Sequence, residues 1–144
     1  MARHALPGLR AVRRVDARHL RNGRLARGSL CLEAATLELW RSSVKHWDYV
    51  VAFDDRTNSR AVAVEVHSAT SDAEVPVVID KKNTAVRALV QELRSLRVCG
   101  WYWIAPGGRC SFRPGSRFQR LLWEADIEGP RSGLDLEGAL RLAI

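Results

Sequence analysis

The sequence contains few cysteines and no long apolar run. Cys31, Cys99 and Cys110 are odd in number and widely spaced, and none belongs to a Cys-x-x-Cys pair. This spacing argues against a disulfide framework and against a cysteine-based zinc site. No stretch approaches the ~18 consecutive apolar residues of a membrane span, and no apolar block of a secretory signal follows the first basic residues. We therefore expect a cytoplasmic protein with reduced cysteines and no membrane partner.

Glycine-rich phosphate loops are also missing. Neither the P-loop pattern nor the dinucleotide-binding pattern occurs, so nucleotide-driven chemistry is not expected. Lysine is scarce as well, since Lys45, Lys81 and Lys82 are the only lysines among 144 residues. The position of each lysine therefore bears on any candidate site.

Positive charge is abundant and unevenly distributed. The chain has 23 lysines and arginines against 16 acidic residues, a net charge of +7. Such an excess attracts phosphate backbones or acidic partners. Residues 1–28, in which Asp16 is the only acid, are interpreted as a basic N-terminal arm that either follows a nucleic-acid backbone or is a flexible, solvated tail. The residues expected to contact nucleic acid are Arg10, Arg13, Arg14 and Arg18 and, from the folded part, Lys81.

Residues 29–144 are predicted to form a single α/β domain. Ser29 is a suitable N-cap for a helix over residues 30–45, in which apolar residues recur at helical spacing. Two apolar strands, 47–53 and 60–67, follow and are joined by the polar turn DDRTNS, which predicts an antiparallel hairpin.

A second helix begins at the capping-box pattern Ser71-x-x-Glu74 and runs to about Arg97, where Gly100 stops it. Residues 101–105 predict a short aromatic strand and residues 109–113 another. Two short closing helices follow, in RFQRLLWEADI and LDLEGALRLAI. The fold class is thus an αββαβ core with a mixed sheet flanked by helices.

Charged residues interrupt the apolar pattern near the ends of both hairpin strands. Glu65 and His67 stand two residues apart, so they share one face of their strand. The simpler interpretation of this polar pair is a strand that ends in solvent, without any functional role for the pair. Asp48 opens the other strand of the hairpin and is expected close to Glu65. Two neighbouring carboxylates repel each other unless a cation lies between them, and oxygen ligands of this kind suit Mg²⁺, with Mn²⁺ as a substitute. Such a metal site can activate water for phosphodiester hydrolysis.

Lys82 is the expected basic partner of these acids. Projected at ~100° per residue, it falls within the apolar stripe of the second helix, whereas Lys81 falls toward the flank. An inward lysine either extends its ammonium group to the edge of the core or meets the carboxylates there. In the second case its charge would stabilise the transition state.

This order of residues and elements, over about residues 29–106, resembles the PD-(D/E)XK nuclease-like superfamily, also called restriction-endonuclease-like. The resemblance implies that Asp48 and Glu65 are metal ligands and that Glu33 is the additional acid some members carry on the first helix. His67 occupies the position of the usual catalytic lysine. Some members of the superfamily carry this lysine on the following helix, where Lys82 stands.

The sequence leaves three functions open. The first is a metal-dependent nuclease with Asp48, Glu65, His67 and Lys82 as catalytic residues and Asp48, Glu65 and Glu33 as metal ligands. The second is an inactive domain of the same fold that binds nucleic acid or another protein. The third is a small enzyme acting on an anionic metabolite. Nucleic acid is the expected partner, and a homodimer is left open.

Overall fold

The computed structural model describes residues 5–36, 46–54, 59–92, 96–107 and 115–142. Within these ranges no helix has both the length and the apolarity needed to cross a membrane. A 3₁₀ turn occupies Gly23–Leu25. The other elements, in chain order, are β1 (Ala5–Pro7), α1 (Arg14–Ala17), β2 (Leu20–Arg21), β3 (Gly28–Cys31), α2 (Leu32–Thr36), β4 (Tyr49–Ala52), β5 (Ser59–Val66), α3 (Glu74–Glu92), β6 (Leu96–Ile104), α4 (Arg117–Glu124), β7 (Ile127–Arg131), β8 (Leu134–Asp135) and α5 (Leu136–Leu142).

Six strands form one mixed sheet in the order β1-β3-β4-β5-β6-β7. The neighbours from β1 to β5 are antiparallel, and they include the predicted hairpin of β4 and β5. The last two pairs, β5 with β6 and β6 with β7, are parallel. Parallel neighbours need a crossover connection, which α3 and α4 supply. The prediction of a single α/β domain with a mixed sheet is therefore confirmed.

Both faces of the sheet are covered. Alternate residues of β5 point to opposite faces, so Ala61 and Ala63 pack with Trp103 and the apolar side of α3. Val62 and Val64 pack on the other face, against residues that include Leu136 of α5. Burial on both faces explains why β4 and β5 are almost continuously apolar.

The segment around Ser29 is a strand and not a helix start. Residues 28–31 pair with β1 on one side and with β4 on the other. The Ser29 hydroxyl accepts a hydrogen bond from the Ala11 N–H at 3.0 Å and so caps no helix. The helix begins at Leu32 and is described as far as Thr36, and the remainder of the predicted helix, residues 37–45, lies outside the described residues. Strand pairing has overridden the helical spacing of the apolar residues.

The second predicted helix is also shorter than expected. α3 is described to Glu92, and Leu96 and Arg97 already belong to β6. Gly100 lies within this strand and ends no helix. It accommodates the ring of Tyr102, because an added Cβ would approach a ring carbon to 2.7 Å. Residues 96–104 leave the helical pattern because they pair with β5 along almost its whole length.

The closing part of the chain contains two predicted helices, α4 and α5, and two strands that the sequence analysis missed, β7 and β8. Residues 127–131 form β7 beside β6, although they include a Gly-Pro pair, which is typical of a loop. β7 is an edge strand of the described sheet, where proline is tolerated. The predicted strand at 109–113 lies outside the described residues.

The N-terminal residues belong to the same fold over their described part. β1 pairs with β3, and Val12, Leu20 and Ala26 are buried in the core on the face opposite α3. Residues 5–28 therefore do not extend away from the domain as the separate arm that the charge pattern predicts. Their arginines lie at the surface while the apolar residues between them anchor the segment.

Candidate functional site

Glu65 is a buried carboxylate near the carboxyl end of β5. Its side chain is 0% exposed and lies on the same face as Ala61 and Ala63. These small residues let α3 approach the sheet closely. One carboxylate oxygen, Oε1, accepts a hydrogen bond from the ammonium of Lys81, and the other, Oε2, accepts one from the Asp48 N–H at 2.9 Å. Glu65 thus joins three separate elements of the chain.

Asp48 makes the reciprocal contact. It precedes β4, and its Oδ2 accepts a hydrogen bond from the Val66 N–H at 3.0 Å. Each acid therefore binds the backbone of the other acid's strand, as the antiparallel pairing of β4 and β5 allows. The two carboxylates lie at one edge of the sheet, which agrees with the predicted proximity of Asp48 and Glu65.

Lys81, and not Lys82, is the helix lysine at these acids. The Lys81 ammonium binds Glu65, whereas the Lys82 ammonium binds the Ala125 carbonyl and lies 5.3 Å from the centre of the Trp101 ring. The prediction that Lys82 joins Asp48 and Glu65 is therefore wrong. The Lys81 ammonium faces the acids, so the predicted contact of Lys81 with nucleic acid, which stays a prediction, would be made at this site.

The position of the buried stripe on α3 explains this exchange. The predicted stripe includes Val86 and Val90, which are 39% and 63% exposed. The buried positions are Val75 and Leu89, which belong to the predicted stripe, and Val78, Ala85 and Ala88, which do not. At ~100° per residue their centre lies between Lys81 and Lys82, so the two lysines flank it on opposite sides. Lys81 leans toward Glu65 and Lys82 leans toward α4.

His67 lies beside the site on the same face as Glu65, as predicted. Its Nε2 hydrogen-bonds the Glu74 carboxylate at the start of α3, and both side chains are about a quarter exposed. The expected capping box is not formed, because Glu74 binds His67 and the Ser71 hydroxyl accepts from the Ala73 N–H. Two main-chain bonds fix His67: its N–H donates to Ile104 O at 3.0 Å, and its carbonyl accepts from Trp103 Nε1 at 2.8 Å.

Burial is the main cause that raises the pKa of both acids. Burial, with the Asp48 charge next in size, raises the pKa of Glu65 to about 7 against the opposing effect of Lys81. Burial also raises the pKa of Asp48, although the hydrogen bond from Val66 and the charge of Lys81 oppose it. Such pairs of perturbed carboxylates are common at sites that bind cations or transfer protons.

Glu33 and His46 also belong to the electrostatic environment of the candidate site. Glu33 is exposed in the first turn of α2, and its negative charge raises the pKa of Asp48 after the larger contributions of burial and Asp16. His46 is 7% exposed, and burial lowers its pKa, with Glu33 opposing and Lys81 reinforcing this effect. Sequence reasoning did not select His46 or the Glu65–Lys81 pair. The adjacent His46-Trp47-Asp48 was the available signal for the histidine.

The carboxylates fit a hard divalent cation in chemical type. Asp48 and Glu65 supply oxygen ligands. Their pKa values are raised mainly by burial and further by neighbouring negative charges, and Lys81 opposes this rise only in part. In the ranges that the structure describes, no three histidine, cysteine, aspartate or glutamate side chains come together as a ligand group. Glu33 is thus near Asp48 in its electrostatic effect but does not form a three-residue ligand set with Asp48 and Glu65.

The arginines selected for nucleic-acid contact are exposed. Arg10 follows β1, Arg13 and Arg14 open α1, and Arg18 follows it. α1 lies near the candidate site, because the Tyr49 hydroxyl, next to Asp48 in sequence, donates to Asp16 Oδ2 at 2.5 Å.

A scan against protein-family models and searches of the curated proteins and the solved structures found no match. Function is therefore inferred from the site alone.

Proposed function

We propose that this protein is a metal-dependent nuclease of restriction-endonuclease-like architecture. The observation that carries the proposal is the wholly buried Glu65, which lies at one sheet edge together with Asp48 and the ammonium of Lys81. The order β4, β5, α3 and β6, with β5 and β6 parallel, supports the architecture. The net charge of +7 supports a polyanionic substrate.

Each residue has a distinct role in this proposal. Asp48 and Glu65 would hold Mg²⁺ or Mn²⁺, with Glu33 as the third acid nearby. The ion would polarise a phosphoryl oxygen and make a bound water more acidic. Lys81 replaces Lys82 as the basic group and stabilises the negative charge that develops on the phosphate. His67, held by Glu74, would serve as the general acid or base of the reaction.

The same contacts of Glu65 and His67 also favour a second function, a binding domain without catalytic activity. Both carboxylate oxygens of Glu65 accept hydrogen bonds from the protein, and His67 is bound to Glu74. Side chains that are already bound to the protein in this way also fit a domain that only binds nucleic acid or another protein. In that case the Glu65–Lys81 pair would serve to hold α3 on the sheet.

Cleavage assays separate these functions. Labelled single- and double-stranded DNA and RNA are incubated with Mg²⁺ or Mn²⁺ and with wild type, Asp48→Asn or Glu65→Gln. Glu124→Gln, which neutralises an exposed acid of α4, is the matched control. A nuclease should lose activity by ~10²-fold or more in the two site variants and keep it in the control. An inactive wild type, with binding that neither site variant changes, would favour the binding domain.

A further inference from the structure

A basic cleft of about 410 Å³ lies beside β2 and the turn between β7 and β8. Its lining residues are Arg18, His19, Arg21, Arg131, Ser132 and Gly133. Three of these six are arginines and none is acidic. Only Arg18 among them was selected from the sequence, because Arg131 comes from the distant end of the chain.

The backbone holds this cleft in shape. β2 and β8 pair in parallel, and the Leu134 N–H donates to the His19 carbonyl at 2.9 Å. Gly133 is required for this close approach, since an added Cβ would lie 2.9 Å from the same carbonyl oxygen. The turn carrying Ser132 is therefore held against the segment carrying Arg18 and Arg21.

The positive charge of the cleft is poorly compensated. Among the described residues Arg18 and Arg21 form no ion pair, and Arg131 reaches Glu128 only at 3.6 Å. The nearby Asp135 carboxylate accepts hydrogen bonds from Asn22 at 2.6 Å and from the Glu137 N–H at 3.1 Å. The hydrogen bond from Asn22 is the main cause that lowers the pKa of Asp135, and the charge of Arg21 makes a smaller contribution, so Asp135 compensates Arg21 in part. Guanidinium groups match phosphate oxygens in geometry as well as charge, so the cleft suits a phosphate group.

The cleft and the acids lie at the same end of the parallel strands, although β2, which lines the cleft, packs through Leu20 on the face opposite α3. The last residues of three parallel strands are side by side, because Val66 is paired with Ile104 and Ile104 with Arg131. Val66 also donates its N–H to Asp48. With ~4.8 Å between neighbouring strands, the backbone of Arg131 lies ~10 Å from that of Val66. This distance corresponds to ~3 nucleotides along a duplex.

We propose that the cleft formed by Arg18, Arg21 and Arg131 binds a backbone phosphate of the nucleic-acid strand whose scissile phosphodiester lies at Asp48 and Glu65. This inference rests on the proposed function and deepens it, because it assigns a polymeric substrate and a contact some nucleotides from the reacting bond. A small anionic metabolite would not span both places.

Binding measurements in EDTA test the cleft without cleavage. The anisotropy of labelled 20-nucleotide single strands and duplexes is titrated with wild type and with the triple variant R18Q/R21Q/R131Q at several salt concentrations. The matched control, R87Q/R117Q/R120Q, removes the same charge from exposed arginines of α3 and α4. We expect the cleft variant to bind at least ~10-fold more weakly, with a salt slope on duplex smaller by ~0.9 for each lost phosphate contact. The control should stay within about twofold of wild type.

Three results would overturn the inference. Wild-type affinity in the cleft variant would exclude the site. An equal loss of affinity in both triple variants would show that binding depends on the net charge of the protein and not on the cleft. Displacement of the oligonucleotide by equimolar inorganic phosphate would show a small-anion site instead. Failure of the proposed function gives a different result. If wild type binds through the cleft but does not cleave with Mg²⁺ or Mn²⁺, the phosphate-binding cleft is supported and the nuclease activity is refuted.

Discussion

Replacing Glu65 by glutamine is expected to remove a large pH dependence from the stability of the protein. Burial raises the pKa of Glu65 from an ordinary 4.5 to about 7, with the Asp48 charge as a further cause. The folded protein therefore binds a proton that the unfolded chain releases. The stabilisation from this proton is complete below the unfolded pKa and is lost as the pH rises through about 7.

The magnitude follows from the two pKa values. At 1.36 kcal/mol for each pKa unit, the wild type loses about 3 kcal/mol of its free energy of unfolding through this group between about pH 4.5 and pH 8. The neutral amide introduced by Glu65→Gln mimics the protonated acid at every pH. The variant should therefore gain about this amount relative to wild type over the same range.

Urea unfolding at a series of pH values measures this difference. The informative quantity is the free energy of unfolding of Glu65→Gln minus that of wild type, because all other titrating groups are common to both proteins. Glu124→Gln, whose carboxylate is exposed on α4, should show no comparable trend. A difference between Glu65→Gln and wild type that stays constant with pH would refute the assignment of a perturbed, buried carboxylate to the site.

Three further predictions concern the same edge of the sheet. Lys81→Met should lower kcat/KM for cleavage by ~10²–10³-fold while Lys82→Met stays near wild type, and a larger loss in the second variant would contradict the assignment. At pH 8, Mg²⁺ at ten times its Kd should raise the free energy of unfolding of wild type by about 1.4 kcal/mol, as followed by urea unfolding, and should leave Asp48→Asn unchanged. Tyr49→Phe removes the donor to Asp16 and should cost about 1–3 kcal/mol in the same assay, whereas an unchanged stability would show that water replaces the hydroxyl.

The central hairpin and its acids were predictable because they depend on local patterns. The alternation in β5 places Glu65 and His67 on one face, and the turn before it brings Asp48 to the same edge. β3 and β7 were missed for a common reason. Each is a short segment whose strand conformation depends on neighbours distant in sequence, such as β1 for Ser29 and β6 for Ile127.

The choice between Lys81 and Lys82 depended on the rotation of α3, which no local pattern fixes. Helical spacing restricts the lysine facing the acids to a few positions, but the apolar residues of α3 exceed those that the sheet buries. Val86 and Val90 contributed to the predicted stripe and are exposed in the structure. A small rotation of the buried stripe about the helix axis was enough to exchange one lysine for its neighbour.

The energetic cost of the buried pair bears on the choice between a nuclease and a binding domain. Moving a carboxylate and an ammonium out of water costs several kcal/mol for each ion, and apolar residues of similar volume hold helices to sheets at least as well. Ala61 and Ala63 show that β5 already packs against α3 through apolar side chains on the face that Glu65 shares. An apolar pair would therefore hold α3 on the sheet at least as well as Glu65 and Lys81 do. Asp48 adds a second acid whose charge raises the pKa of Glu65 further. A cluster that works against the stability of its own fold is better explained by the need to bind a cation and a phosphate than by packing.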